Sequence, residues 1–368
     1  MNIELSSSSA SANDAEAQPR GLEGVVVAHT ELSGVDGLHG KLTLRGLPVE
    51  TWAQQTYEAA ALRLLADPTV HEDQIRTARH AAFAHVVEHA DLLNTENAMD
   101  ALRALVACLG EDTGTSELIG AVGVFVSAWI RRQHGKELVA PQQSEHAADL
   151  LWMARGSAAR PEEIRALNAY LCTVMDHGMN ASTFAARVVA STESDRVSAV
   201  VAAIGALKGR LHGGAPGPVL DMLDAVETPT KAKNWIEAEL VAGRRIMGMG
   251  HRVYRVRDPR ARALEAAVRA IDPSDDNPRV QLARAVEAEA ERQLAVRHPN
   301  RPLRANVEFY TAIVLEALQI PRTAFTSVFA AARVVGWCGH YDEQRRTGRL
   351  IRPRARYVGP EAAEPPPA

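Results

Sequence analysis

The sequence is short of cysteine: Cys108, Cys172 and Cys338 are scattered, odd in number and form no C-x-x-C pair. That excludes a disulfide framework and a cysteine-ligated zinc site, and it predicts a protein of the reducing cytoplasm. No uncharged run approaches the roughly twenty residues a membrane helix requires, and the N-terminus has neither the basic start nor the apolar core of a secretion signal. An imbalance of charge is missing too. Against 41 Lys+Arg stand 45 Asp+Glu, a net charge of -4, so neither nucleic acid nor an anionic membrane is expected as a partner, and any anion binding must be local. Strand signals are almost absent after residue 50, and no segment recurs at a fixed period.

What is present is apolar helix-forming material. Hydrophobic residues make up 46% of 368, enough for a sizeable core and more than one domain. Residues 1–20, with Ser6 to Ser9 in a row, hold too few large apolar side chains to offset ordering entropy and read as a disordered tail; the proline-rich end, 359–368, reads the same way. Val25-Val26-Val27 and the alternating Lys41-Leu42-Thr43-Leu44 flank Gly34, Gly37 and Gly40, the pattern of a short hairpin. From about residue 56 the period moves from two toward four. Helices are predicted over 59–66, 72–90, 98–109, 118–133, 145–155, 162–175, 194–206, 219–226, 232–242, 259–271, 278–296, 305–318 and 323–333.

Five stretches combine polar side chains with loop or helix-end signals in ways that packing alone does not require. Leu207 to Pro218 contains His212-Gly213-Gly214 before a proline-led helix. A histidine at a helix N-terminus stays neutral and donates one N–H, which suits a developing oxyanion or enolate; a tight turn carrying a surface histidine is the plainer alternative. Asp176-His177-Gly178-Met179-Asn180-Ala181-Ser182 interrupts two helical patterns, and Asn180 or Ser182 would also serve as an ordinary cap. Gly248 to Arg260 holds His251, Arg255 and Asp258-Pro259-Arg260 in a loop that lacks the spacing of a nucleotide fingerprint but suits polarising a carbonyl while clamping an anion. Asn306-Val307-Glu308-Phe309-Tyr310 sets an acid at a helix start; exposed, it is unremarkable, whereas burial would raise its pKa into the range of a general base. Arg333 interrupts a long apolar helix, and a buried arginine needs partners. Beyond it, Arg345 to Arg356 form a basic stretch that suits either a solvated face or carboxylates and phosphates.

The order of these pieces, ending in Ile351-Arg352-Pro353, resembles the citrate synthase family, particularly its bacterial branch, over about 21–358. The resemblance implies an all-α, two-domain homodimer. A large domain (21–212 and 314–358) would be interrupted by a small domain (213–313) that closes over the substrates. It further implies condensation of acetyl-CoA with oxaloacetate and hydrolysis to citrate and CoA, with no metal or redox cofactor. The roles carried by resemblance are His212 as enol stabiliser, His251 as donor to the ketone, and Glu308 as base. His177, Arg260 and Arg333 would hold the carboxylates, Arg352 would reach across the dimer, and Arg255 would contact CoA.

The chain departs from the family pattern in three places. Glu308 stands where most relatives have aspartate, and its extra methylene shifts the carboxylate by roughly 1.5 Å, when a misplacement of about 1 Å can cost around a hundredfold in rate. Val174 replaces a histidine three residues before His177, with an expected effect on packing. Pro216-Gly217-Pro218 stiffens a helix entry that is more usually polar. A 2-methylcitrate synthase using propionyl-CoA, and a catalytically weak binder of CoA or a dicarboxylate, are the alternatives. A metalloenzyme is the remotest reading, because His177, His212 and His251 lack short ligand spacing.

Overall fold

A computed structural model describes residues 20–22, 24–213, 216–251, 253–272, 274 and 276–360. All but the last residue of the expected N-terminal tail and most of the C-terminal one lie outside them, as do Gly214, Ala215 and Arg252. The chain opens with a three-stranded antiparallel sheet, β1 (Ser33–Asp36), β2 (Lys41–Leu44) and β3 (Leu47–Pro48), with Val35 opposite Leu42 and Asp36 opposite Lys41. The hairpin is therefore present, but Val25 to Val27 are not its first strand. They take no regular secondary structure, and Ser33-Gly34-Val35-Asp36 takes that place.

Everything later in the described chain is helical or irregular, apart from one isolated bridge between Met249 and Ala305. The elements are α1 (Val49–Trp52), α2 (Tyr57–Leu65), α3 (Glu72–Glu88), α4 (Ala98–Ala107), α5 (Thr115–Gln133), α6 (His146–Arg155), α7 (Pro161–Thr173) and α8 (Ala181–Ser191). They continue as α9 (Arg196–Lys208), α10 (Pro216–Val226), α11 (Ala232–Val241), α12 (Pro259–Ile271), α13 (Pro278–Arg297), α14 (Val307–Ala317) and α15 (Phe325–Thr347). The all-α expectation holds.

The boundaries follow from local chemistry. Asn97, Asn180, Asp195, Asp258, Asn277 and Asn306 each accept amide hydrogens at a helix start, while Pro161, Pro259 and Pro278 occupy first-turn positions where a missing N–H costs nothing. The centre of the fold is α5, buried on nearly every side from Thr115 to Ile130, as expected of a helix with no polar face. It packs against α3, α4, α6 and α15. Gly120 lets Ala78 of α3 approach, and Gly123 lets His146 of α6 approach; a Cβ at either would overlap its neighbour.

A second expectation fell short. The last long helix does not stop near Arg333 but runs fourteen residues further, to Thr347. Gly336 and Gly339 are tolerated within it because both face packed neighbours: Gly336 adjoins the Met175 carbonyl and Asp176, and Gly339 adjoins Leu32. In such positions the absent side chain makes room for contact instead of exposing backbone to water. The expected domain limit at 313 falls within α14, a continuous helix.

Candidate active site

The first wall is the loop between α7 and α8. Asp176 is fully buried, and its carboxylate accepts from the Ser33 hydroxyl of β1 and faces His340 Nε2 of α15 at 3.2 Å. Arg187 Nε donates to His340 Nδ1 at 3.0 Å, which places the imidazole proton on Nε2, toward Asp176. Burial pushes the Asp176 carboxyl up, but His340, Arg333 and Ser33 outweigh it and hold it below its ordinary value. Next to it, His177 Nε2 lies 3.0 Å from the Tyr254 hydroxyl, and burial together with Arg260 and Arg333 keeps the ring well below its usual pKa, hence neutral. Asn180 caps α8 through Ser182 and Thr183, so the capping alternative is correct for that residue.

Ser182 has another partner. Its amide points at His212 Nε2 (3.3 Å), with its hydroxyl at 2.9 Å, and Trp337 of α15 donates to the same hydroxyl at 3.1 Å. An Nε2 that accepts leaves the proton of neutral His212 on Nδ1. His212 lies in the turn that closes α9, its own amide bonded to the Gly209 carbonyl at 2.8 Å. Its pKa falls to about 4 through burial and the charge of Arg333. The neutral donor expected from sequence is thus found, but burial and a buried guanidinium cause it, not the start of α10. Gly213 has no room for a Cβ beside the Leu207 carbonyl, and this explains one glycine of the pair.

The facing loop carries His251. Its Nδ1 accepts the amides of Val253 (3.0 Å) and Tyr254 (3.2 Å), so the neutral ring bears its proton on Nε2. Burial and Arg260 bring its pKa to about 4. Arg260 Nη2 is 3.3 Å from that same Nε2. Two donors facing one another form no hydrogen bond; together they converge on a place for an acceptor oxygen. The rings of His177 and His251 are 5.9 Å apart, edge to face. Arg260 is itself held by Asp258, with Nε at 3.1 Å and Nη2 at 2.8 Å from the two carboxylate oxygens, and this partner outweighs burial and raises its pKa.

Glu308 stands in the first turn of α14, its amide capped by Asn306. It is neither fully exposed nor fully buried, and among the described residues no donor is bonded to its carboxylate. Surrounding protein lifts its pKa to about 7, with Arg260 and Arg333 pulling it down and Asp258 pushing it up. Arg333 is buried, donates Nε to the Val174 carbonyl at 2.6 Å and lies over the Phe329 ring at 4.6 Å. No carboxylate among the described residues is within ion-pair distance of it, and burial brings its pKa to about 10. Val174 thus contributes a carbonyl to the site and a side chain to the core.

Six of the eight residues expected from sequence therefore form one electrostatic unit: His177, His212, His251, Arg260, Glu308 and Arg333. Arg255 and Arg352 are exposed on this single chain, Arg255 bound through its amide to the Gly37 carbonyl. A poised carboxylate, neutral histidines with defined donor atoms and two buried cations can bind a small polycarboxylate, take a proton from carbon and stabilise oxygen anions. The described residues contain no group of three histidine, cysteine or acidic side chains placed to hold a metal, and no helix long and apolar enough to cross a membrane. A cavity of about 410 Å³ elsewhere, lined by His134, Lys136, Arg155 and Leu318 among others, has none of these groups. Sequence reading gave Ser182 only a capping role and gave none to Ser33, Tyr254 or His340; Ser182 and Tyr254 lie within the stretches singled out above, but Ser33 carries no local signal.

Residues 21–354 match the family model described as citrate synthase, C-terminal domain. A putative citrate synthase 2 of Mycobacterium tuberculosis is 36% identical, with 94% of each chain covered. A citrate synthase of Deinococcus radiodurans is also 36% identical, covering 92% of this chain and 95% of that one. Among solved structures, citrate synthase from Thermotoga maritima superposes with a TM-score of 0.81 at 32% identity, over 95% of this chain and 98% of the other. Citrate synthase from Thermoplasma acidophilum, solved as a ternary complex with carboxymethyl coenzyme A and oxaloacetate, gives 0.81 at 27% identity, over 94% and 97%.

Proposed function

The chain belongs to the citrate synthase family, and from that premise we propose that it condenses acetyl-CoA with oxaloacetate and hydrolyses the product thioester to citrate and free CoA. The observation that carries this reading is that Glu308, lifted to about 7, shares the charges of Arg260 and Arg333 with two neutral imidazoles whose free N–H atoms are fixed by their neighbours. Glu308 takes a proton from the acetyl methyl group. His212 Nδ1–H donates to the thioester oxygen as the enol forms. His251 Nε2–H and Arg260, which converge on one acceptor position, polarise the ketone of oxaloacetate, while His177, Arg260 and Arg333 hold its carboxylates. The enol carbon then bonds to the ketone carbon, and water releases CoA as a free thiol.

In this reading acetyl-CoA is a substrate and no metal or redox cofactor takes part. Two copies associate, Arg352 of each completes the other's site, and Arg255 meets CoA. The segment 213–313 closes over the substrates to exclude water. The setting is the cytoplasm.

The test is thiol release from acetyl-CoA and from propionyl-CoA, each with oxaloacetate. The expected result is a larger kcat/KM for acetyl-CoA, and light scattering should give a dimer mass. A larger value for propionyl-CoA would move the assignment to 2-methylcitrate synthase. Release from neither, by protein with an intact thermal transition, would remove the enzyme reading.

A further inference from the structure

The N-terminal hairpin touches both histidine loops through residues four apart. At Ser33 the hydroxyl donates to the Asp176 carboxylate and accepts the Gly178 amide at 2.8 Å, so it grips the chain on both sides of His177. Gly178 is in the left-handed region, φ 56°, and lies against Val35 of the same strand. At the tip, the Gly37 carbonyl accepts the Arg255 amide at 2.8 Å. A Cβ on Gly37 would overlap the Val253 carbonyl, and one on Gly40, φ 60°, would meet the Val256 side chain at 2.5 Å. Val253 is also the residue whose amide bonds His251 Nδ1 at 3.0 Å and so helps fix that ring's tautomer. One hairpin thus braces the immediate neighbours of two rings that face each other at 5.9 Å, although in the sequence those loops are far apart and the hairpin precedes both.

We propose that the hairpin is a positioning element for oxaloacetate: Ser33 and Gly37 set the separation and orientation of His177 and His251 without touching substrate themselves. The inference rests on the function proposed above. Its physical basis is that donors must meet the substrate oxygens within a fraction of an ångström, and loops reach that accuracy only when neighbours lock them. Ser33 does so with two hydrogen bonds on one hydroxyl. Gly37 does so by backbone contact, which only glycine allows at that distance.

The experiment compares Ser33→Ala, Ser33→Thr and Gly37→Ala with the unmodified protein, measuring KM for oxaloacetate, KM for acetyl-CoA, and Tm with and without oxaloacetate. Ser33→Ala and Gly37→Ala should raise KM for oxaloacetate by about tenfold and shrink the oxaloacetate-induced rise in Tm. KM for acetyl-CoA should change much less, and Ser33→Thr, which keeps the hydroxyl, should restore most of the loss. Ser33→Ala removes only an oxygen, so it keeps the test open if Gly37→Ala does not fold. Variants with a lower ligand-free Tm but an unchanged KM and an unchanged oxaloacetate shift would overturn the proposal, reducing the hairpin to a structural support. If the unmodified protein shows no oxaloacetate shift and no turnover, the function it rests on falls, and this inference with it.

Discussion

Asp258 Oδ2 accepts the amide of Val307 at 3.2 Å, so the carboxylate that pairs with Arg260 also tethers the peptide beside Glu308. The starts of α12 and α14 are thereby joined by one buried acid. Asp258→Asn keeps the shape but removes the charge. It should lower kcat/KM for oxaloacetate at least about tenfold, because Arg260 loses a buried charge-assisted partner. It should also move the acid limb of the kcat profile to lower pH, since Asp258 raises the Glu308 pKa while Arg260 and Arg333 lower it. Loss of activity with an unmoved limb would limit Asp258 to a packing role.

Glu308 must be ionised to act as a base, so kcat should fall as pH drops through about 7. Glu308→Gln should lower kcat by about 10²–10⁴. Glu308→Asp should also be slow, by as much as about a hundredfold, if the site is built around the longer side chain. Stability runs the other way. The native carboxyl binds its proton more tightly than the unfolded one, whose pKa is ordinary, so this group's contribution falls as pH rises toward 7 and remains unfavourable above it. Glu308→Gln should therefore have the higher Tm at pH 8, a comparison that calorimetry can make.

His212 and His251, both at about 4, carry no charge anywhere in the working range. Nitrogen NMR of histidine-labelled protein should show His251 protonated on Nε2 and His212 on Nδ1, with neither titrating between about pH 5.5 and 8. A midpoint near 6.5 for either ring would contradict the burial that the structure gives it.

Ser182→Ala leaves Asn180 as the cap of α8 but takes the hydroxyl from His212 and Trp337. The unpaired indole N–H should cost about 1–3 kcal/mol of stability. If the hydroxyl orients His212, kcat should fall by about tenfold or more while KM for oxaloacetate holds. Parallel changes in both constants would mean that the serine only supports the fold.

What could be read from the chain was what lies close together along it. Asp258 before Pro259, Asn306 before Glu308 and Pro161 before two acids announce helix starts, because a cap and the amides it binds are sequence neighbours. The apolar stretch of α5 announced its burial for the same reason. Arg333 in an apolar run was legible as a buried cation needing partners, but not the carbonyl at Val174 that receives it. The contacts that finish the site are distant in sequence: Ser33 meets Asp176 across 143 residues and Ser182 meets Trp337 across 155. A serine in a strand and a tryptophan in a helix carry no mark of such partners. The extent of α15 past Gly336 and Gly339 was hidden for a related reason, since glycine weakens a helix in water but permits close packing in a core.

The side chains by which α15 serves the site are Arg333 toward Val174, Trp337 toward Ser182, His340 toward Asp176 and Glu343 toward Arg187. Their spacings of four, three and three residues put all of them on one face of a single rod. Inserting or deleting one residue between them would turn everything beyond it by about 100° and advance it by about 1.5 Å. A length change there would therefore break the later contacts together, whereas beyond Thr347, where the helix has ended, the chain can vary in length without altering that register. The positions 333–343 are thus constrained in number as strictly as in kind.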